Sequence, residues 1–199
     1  DWDSVGQMNL NIIVGARKEA DVLNGPIQFS AGSGMTPEIM AIVQLLTGPK
    51  KNYLDTWEYK ITWVKGMSGS ERRLAFRRGD LNGTRENPAA YKKHVLPVIA
   101  EGKAFTWFHH GLLNVKTGKH DKDPNFEEPT FEALYEEMWG VAPEGDFYDA
   151  YKLVKSWRDA LQKAFWVNKG NPNKQKLVDA LNKMIQDPES VAAIEKKVG

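Results

Sequence analysis

The sequence predicts an α/β fold in which a mostly parallel sheet carries helices on both faces. Short apolar segments typical of strands alternate, over the first half of the chain, with segments whose apolar residues recur every three or four positions. Glycine-rich turns follow two of the strand segments, and a strand, glycine turn and helix in succession are typical of parallel sheets. The chain has 199 residues, 41% of them hydrophobic, which is enough for a packed core.

The most informative stretch is the first strand, turn and helix in this pattern. Pro26 to Phe29 predicts a short strand, and the turn from Ser30 to Gly34 is rich in glycine. Thr36 has the character of an N-cap, Glu38 falls in the first helical turn, and Gly48 ends the helix. Such a helix start favours an anion. A structural βα turn is the alternative, because the motif matches neither the Walker nor the dinucleotide pattern.

Composition excludes several classes of protein. The sequence contains 27 Lys and Arg residues and 26 Asp and Glu residues. It therefore lacks the large positive charge that is typical of proteins that bind nucleic acid. There is no cysteine, and therefore neither a disulfide nor a thiolate site. No apolar run is long enough to cross a bilayer. The sequence begins at Asp1 without a methionine or signal segment, and we expect its true start to lie upstream.

The remaining elements of the first half continue the alternation. We expect strands over 9–14, 59–64 and 104–108, and a short strand that starts near Asp80 to Gly83. Helices are expected before Gly79 and from Asn87 to Gly102. In a parallel sheet of this kind, ligands bind at the carboxyl ends of the strands.

The second half is predicted to be mainly helical. A polar loop is expected from Leu113 to Asn125, and a helix from Thr130 to Met138. The spacing of Val154, Trp157 and Leu161 predicts a helix over 149–161, whereas 164–167 is compatible with helix or strand. Two further helices follow Pro172 and Pro188, and one face of the first carries apolar residues at Leu177, Leu181, Met184 and Ile185.

Several motifs, in this order, resemble the receptor family of tripartite tricarboxylate transporters. They are the turn Ser30-Ala31-Gly32-Ser33-Gly34, the stretch from Lys65 to Glu71, the stretch from Arg77 to Gly83, and the ending from Phe165 to Pro172. Each motif is loose, but their order extends over nearly the whole chain. The resemblance also favours a strand at Phe165.

The resemblance implies a two-lobed, periplasmic-binding-protein-like fold. It places the second lobe at 15–125, and the hinge strand with the carboxy-terminal part of the first lobe at 1–14 and 126–199. The implied function is a periplasmic solute-binding protein that delivers a small carboxylate to membrane transporter subunits, with no catalytic residue and no cofactor. The implied ligand-binding residues are Ser30, Ala31, Gly32, Ser33, Gly34, Thr36, Lys65, Gly66, Ser68, Asn82, Gly83 and Thr84.

Two departures from the family pattern bear on the ligand. The strand and glycine-rich turn that begin the family's first lobe would lie upstream of Asp1, so half of the cleft is expected to be missing from this sequence. Charged or bulky residues also occur near the implied cleft where many relatives carry small ones, at Met35, Lys65, Arg85 and Glu86. The ligand is therefore not inherited from the family.

Other constellations favour simpler interpretations. His109 and His110 are neighbours on a predicted strand and point to opposite faces, which disfavours a shared metal ion. His120 is interpreted as a surface residue, and a basic helix face over 72–78 as a weak candidate for phosphates. Two other functions stay open: an enzyme that binds a phosphorylated substrate in the glycine turns, and an interaction domain with an empty cleft.

Overall fold

The computed structural model describes most of the chain, namely residues 2–7, 13–17, 26–30, 36–49, 61–114, 116–117, 119–161 and 164–198. The strands are β1 (Trp2–Gln7), β2 (Ile13–Ala16), β3 (Ile27–Ser30), β4 (Ile61–Val64), β5 (Gly83–Glu86), β6 (Phe105–His109), β7 (Leu112–Asn114), β8 (Lys119–Asp121) and β9 (Ala164–Asn168). The helices are α1 (Pro37–Thr47), α2 (Gly69–Arg78), α3 (Pro88–His94), α4 (Leu96–Ala100), α5 (Phe131–Trp139), α6 (Asp146–Leu161), α7 (Lys174–Gln186) and α8 (Pro188–Val198).

A five-stranded sheet in the order β4-β3-β5-β2-β6 organises the first part of the chain. β3 pairs in parallel with β4 and with β5, whereas β2 is antiparallel to both β5 and β6. Four of the five strands therefore run in one direction, which confirms the predicted mostly parallel sheet. The exception, β2, precedes the first strand–helix unit, where alternation of elements gives no information about direction.

Helices cover this sheet on both faces. Neighbouring residues of β2 point in opposite directions, as in any strand. Val14 packs in a core with residues of α1, α5 and α6, whereas Ile13 packs in a second core with residues of α2, α3 and α4. Among the described residues of the predicted strands, the two cores bury Ile13, Val14, Ile27, Phe29, Ile61 and Phe108.

Most predicted helix ends are confirmed. Ser68 forms a capping box with Glu71 at the start of α2, and Gly79 ends that helix in the left-handed conformation with φ of 91°. Thr36 is the N-cap of α1, but its side chain makes no capping hydrogen bond. The single helix predicted from Asn87 to Gly102 is divided at Val95 into α3 and α4, because Pro97 cannot continue the hydrogen bonding of α3.

Two segments differ from the prediction or decide between its alternatives. The polar segment expected to be a loop contains the hairpin β7–β8, in which Leu112 pairs with Asp121 and Asn114 accepts hydrogen bonds from the backbone of the turn. The ambiguous segment after α6 is the strand β9, which pairs antiparallel with β1. The strand favoured by the resemblance is therefore confirmed.

Two helices expose large apolar side chains to solvent. In α6, Leu153 and Trp157 are 57% and 66% exposed, whereas Lys155 and Asp159 are almost completely buried. None of the residues of α7 is buried, and Ile185 is 61% exposed. α6 still packs Tyr151 and Val154 in the first core, whereas α7 differs from the usual amphipathic arrangement, in which the apolar stripe faces the core. Within the described residues, no helix is long and apolar enough to cross a membrane.

Candidate functional site

The chain leaves β3 and β5 in opposite directions, and we refer to the carboxyl ends of these two neighbouring strands as the crevice. After β3 the chain passes through α1 to β4, on one side, and after β5 it passes through α3 and α4 towards β6, on the other side. α1 belongs to one core and α3 to the other, so the two connections leave on opposite faces of the sheet. This is a topological switch point, the position outside the carboxyl ends of the strands where sheets of this type bind ligands.

The predicted first turn begins at this crevice. Ser30 is the last residue of β3 and is buried. Ala31, Gly32, Ser33 and Gly34 lie outside the described residues. The backbone oxygen of Thr36 accepts hydrogen bonds from the amides of Ile39 and Met40, which begins α1. The amino end of α1 therefore faces the carboxyl edge of the sheet, with the positive end of its dipole towards the crevice.

The second predicted turn lies at the same edge, next to the first. Ser30 is opposite Val64 in the pairing of β3 with β4, so Lys65 and Gly66 immediately follow the carboxyl end of β4. Both are exposed, and Gly66 has a φ of 82° that favours glycine. The hydroxyl of Ser68 accepts a hydrogen bond from the Glu71 amide, and it is therefore occupied by the capping box.

The third predicted turn is divided between the two edges of the sheet. The side chain of Asn82 bonds the amide of Gln28 and the oxygen of Pro26, at the amino end of β3. Gly83 lies opposite Phe29, and this register brings Thr84 level with Ser30 at the other end of β3. Ser30 and Thr84 thus lie together at the crevice, whereas Asn82 is at the opposite edge of the sheet.

A buried cluster of charges, which the sequence did not indicate, lies at the start of α1. It consists of Glu38, Arg85, His110 and Arg158, and we refer to it as the Glu38 cluster. Glu38 is completely buried and accepts a hydrogen bond from Nη1 of Arg158. Nη1 of Arg85 lies 3.8 Å from Oε2 of Glu38, and Nε2 of His110 lies 3.8 Å from Oε1. Four elements or their ends, α1, β5, β6 and α6, supply its members.

The protonation states in the Glu38 cluster follow from burial and from the arginines. Burial disfavours the Glu38 carboxylate, but the charges of Arg158 and Arg85 outweigh burial and hold the pKa of Glu38 well below its usual range. Burial, together with Arg158, lowers the pKa of His110 well below 6.5. His110 is therefore neutral at pH 7, and its Nδ1 is 2.8 Å from the hydroxyl of Tyr151. Two guanidinium groups face one carboxylate.

Several polar atoms of the Glu38 cluster make no hydrogen bond. They are buried and belong to the arginines, the histidine and the carboxylate: Nε of Arg85, Nε and Nη2 of Arg158, Nε2 of His110 and Oε2 of Glu38. The hydroxyl of Thr84, at the crevice, is in the same condition. Native proteins contain few such groups, and each of them calls for an explanation.

A second group of buried polar residues lies along α6. Lys155 donates a hydrogen bond to Asp159, and Nε2 of His120 lies 3.5 Å from the same carboxylate oxygen. The side chain of His120 is only 2% exposed, so its interpretation as a surface residue was wrong. Burial raises the pKa of Glu132, which accepts a long hydrogen bond of 3.5 Å from Tyr148.

Two of the four arginines in the basic face predicted over 72–78 are used inside the fold, and Arg77 and Arg78 are exposed. Arg72 and Arg73 both donate to the buried carboxylate of Glu86, over 2.9–3.2 Å. A groove of about 300 Å³ lies beside Arg73 and Lys93, and another of about 590 Å³ lies beside Tyr135. Neither groove is lined by the Glu38 cluster. In the part of the chain that the structure describes, no three His, Asp or Glu residues are arranged to hold a metal ion.

Three solved structures with a similar fold are substrate-binding or periplasmic proteins. The second substrate-binding domain of a putative amino acid ABC transporter from Streptococcus pneumoniae is 12% identical, with a TM-score of 0.43, over 100% of this chain and 66% of its own. A Salmonella typhimurium periplasmic binding protein with high arginine specificity is 15% identical, with a TM-score of 0.45, over 98% and 62%. A structure described as a periplasmic transporter is 16% identical, with a TM-score of 0.48, over 98% and 57%.

This chain thus spans less than two thirds of the length of these three proteins. No protein-family model and no curated protein matches the sequence. The resemblance to receptors of tripartite tricarboxylate transporters is not confirmed by these structures, whose descriptions name other proteins. The ligand and the partners therefore have to be inferred from the residues of the chain itself.

Proposed function

We propose that this chain is the ligand-binding part of a solute receptor, which holds a small organic anion at the crevice between β3 and β5 and performs no catalysis. The observation that carries this proposal is the convergence, at one switch point, of the amino end of α1, the carboxyl ends of β3 and β5, and two partly buried arginines. A positive helix end and surplus guanidinium charge both favour a bound anion.

The residues proposed to contact the ligand are divided by their position. Ser30, Thr36 and Thr84 lie at or beside the crevice, and Lys65 and Gly66 follow the neighbouring strand at the same edge. Ala31 to Gly34 are proposed to complete the turn. Three residues have structural roles instead. Asn82 bonds the start of β3, Gly83 packs closely against core side chains, and Ser68 caps α2.

The wider assignment is also part of the proposal. The receptor would work in the periplasm with the membrane subunits of a transporter. The order of the motifs along the sequence favours a transporter of the tripartite tricarboxylate type and a carboxylate ligand. The descriptions of two similar structures name a putative amino acid transporter and arginine specificity, and every amino acid carries a carboxylate group. A second lobe closing over the ligand would provide the signal to the transporter.

A thermal-shift titration tests the proposal directly. The chain is titrated with acetate, succinate, citrate, arginine and inorganic phosphate, alongside its Thr36→Ala variant. A ligand at a hundredfold excess over Kd stabilises a protein by about 2.7 kcal/mol, which raises Tm by about 5–10 °C in a domain of this size. One carboxylate should stabilise the parent chain and should stabilise Thr36→Ala much less.

Thr36→Ala is well suited to this test because no capping bond is lost with its hydroxyl. Ser190→Ala in α8 is the matched control. It also removes one hydroxyl, but α8 does not connect strands of the five-stranded sheet. The control should respond to the ligand as the parent does. If no carboxylate changes Tm of the parent chain, the receptor function is refuted for this chain. Stabilisation by phosphate alone would favour a phosphorylated ligand.

A further inference from the structure

The Glu38 cluster contains a specific imbalance of charge. Glu38 is its only ionised carboxylate, and Arg85 and Arg158 each contribute a positive charge, because His110 is neutral. The arginine side chains are 24% and 12% exposed, so neither is fully hydrated. Within the described residues, the cluster therefore carries about one surplus positive charge in a mostly buried position, which is costly unless an anion accompanies it.

A neighbouring ion cluster holds its carboxylate through more hydrogen bonds. Glu86 is also flanked by two arginines, but both of its oxygens accept hydrogen bonds from Arg72 and Arg73. In the Glu38 cluster only one contact is a hydrogen bond, and those to Arg85 and His110 are 3.8 Å long. Arg85 and Arg158 together have three buried guanidinium nitrogens without an acceptor, against one in the Glu86 cluster, Nε of Arg72, so the Glu38 cluster has the greater unused donor capacity.

We propose that Arg85 and Arg158 are the anion-binding pair of this protein and that Glu38 is their counter-ion in the absence of ligand. The anionic group is a compact monoanionic oxyanion, of which a carboxylate is the first candidate, and it accepts hydrogen bonds from the free guanidinium N–H groups. Arg85, the more exposed of the two, lies on the side from which the ligand enters. This inference rests on the proposed function for the position of the ligand at the crevice.

The location of the pair supports this assignment. Arg85 follows Thr84 in β5, and the backbone of Thr84 lies level with the end of β3. Glu38 is in the first turn of α1, so the pair lies beside the positive end of that helix. The two guanidinium groups and the positive end of the α1 dipole therefore act on the same small volume. A guanidinium that donates two hydrogen bonds also gives a carboxylate a preferred orientation.

Charge variants give opposite predictions for a ligand site and for a structural ion pair. Arg85→Gln and Arg158→Gln each remove the surplus charge, and we expect the affinity for the carboxylate probe to fall at least tenfold. Glu38→Gln removes the competing carboxylate, and the affinity for the same probe should rise about tenfold. Binding is measured by calorimetry and thermal shift, with propionate, succinate and inorganic phosphate as probes at low and high sodium chloride.

The control is Arg72→Gln, which removes an arginine of similar burial from the Glu86 cluster and should leave the affinity unchanged. If the parent binds a carboxylate and all four variants bind it equally, the guanidinium pair is refuted while the receptor function stands. If the parent binds nothing but Glu38→Gln binds an anion, the pair is supported and the receptor function is refuted. If neither binds any probe, both proposals fail. Preference for phosphate over both carboxylates would refute the assigned ligand group.

Discussion

Gly83 is predicted by the sequence to line the ligand site, but its position in the structure gives it a packing role. A Cβ atom at this residue would lie 2.9 Å from Cδ2 of Phe29 and 3.1 Å from Cγ2 of Ile27. Both side chains are almost completely buried in the core that α1 covers. Carbon atoms in good contact are about 3.5–4.0 Å apart, so the added methyl group overlaps both neighbours.

Gly83→Ala is therefore expected to destabilise the chain. Overpacking a well-packed core costs about 1–3 kcal/mol, and in a domain of this size each kcal/mol lowers Tm by about 2–4 °C. The backbone of Gly83 is not in the left-handed region, so steric overlap alone is responsible. Urea denaturation of the parent and of the variant measures the loss as a lower midpoint at an unchanged m-value.

Gly69→Ala provides the matched control. A Cβ at Gly69, the first residue of α2, would have Nη1 of Arg73 at 3.8 Å as its nearest neighbour, which is an ordinary contact. This variant should be as stable as the parent, or more stable by up to about 1 kcal/mol. If Gly83→Ala is as stable as Gly69→Ala, the packing explanation is wrong. If the folded Gly83→Ala variant binds the carboxylate ligand as tightly as the parent, glycine is required at this position for core packing and not for ligand binding.

Three other changes test separate parts of the structure. Glu132→Gln should raise Tm at pH 7 but not near pH 4, because burial raises the pKa of Glu132 and its ionised form is disfavoured as the pH rises above 4.5. His110→Gln should flatten the decrease in urea midpoint between pH 7 and pH 5: the pKa of His110 is lowered in the fold, so the parent loses stability as the pH falls below 6.5 and only the unfolded chain takes up a proton. Gly48→Ala, measured by the same urea titration, should be the most destabilising change, since Gly48 has a φ of 63° and the ring of Trp139 occupies the position of its Cβ.

The sequence predicted the first strand–helix units well because their signals are local. Thr36, Pro37 and Gly48 mark the ends of α1, and Gly79 marks the end of α2. Each signal depends on hydrogen bonds within a few residues, which neighbouring sequence specifies. The direction of β2 and its place between β5 and β6 depend on the whole sheet, and no local pattern contains them.

The helix α6 shows where periodicity alone misleads. Val154, Trp157 and Leu161 predicted the helix correctly, but Trp157 does not lie on its buried face. Tyr151, Lys155 and Asp159 recur at the same helical spacing and are the residues that α6 buries, while Trp157 is largely exposed. A periodic polar stripe has the same spacing as an apolar one. Whether the polar or the apolar stripe faces the core depends on whether other elements supply partners that neutralise the charges of the polar stripe.

The same reasoning explains why the Glu38 cluster was not predicted. Its members lie 25 or more positions apart in the sequence and come from α1, β5, the end of β6 and α6. Arg85 was singled out only as a departure from the family pattern, and Glu38 only as an acidic residue in a first helical turn. An acidic residue in the first turn normally faces solvent and interacts favourably with the helix dipole.

Glu38 differs because it is completely buried against two arginines. That burial arises only when the sheet brings the carboxyl ends of β3, β5 and β6 to one edge. A site formed in this way depends on topology, so its ligand chemistry becomes visible only after the fold is known.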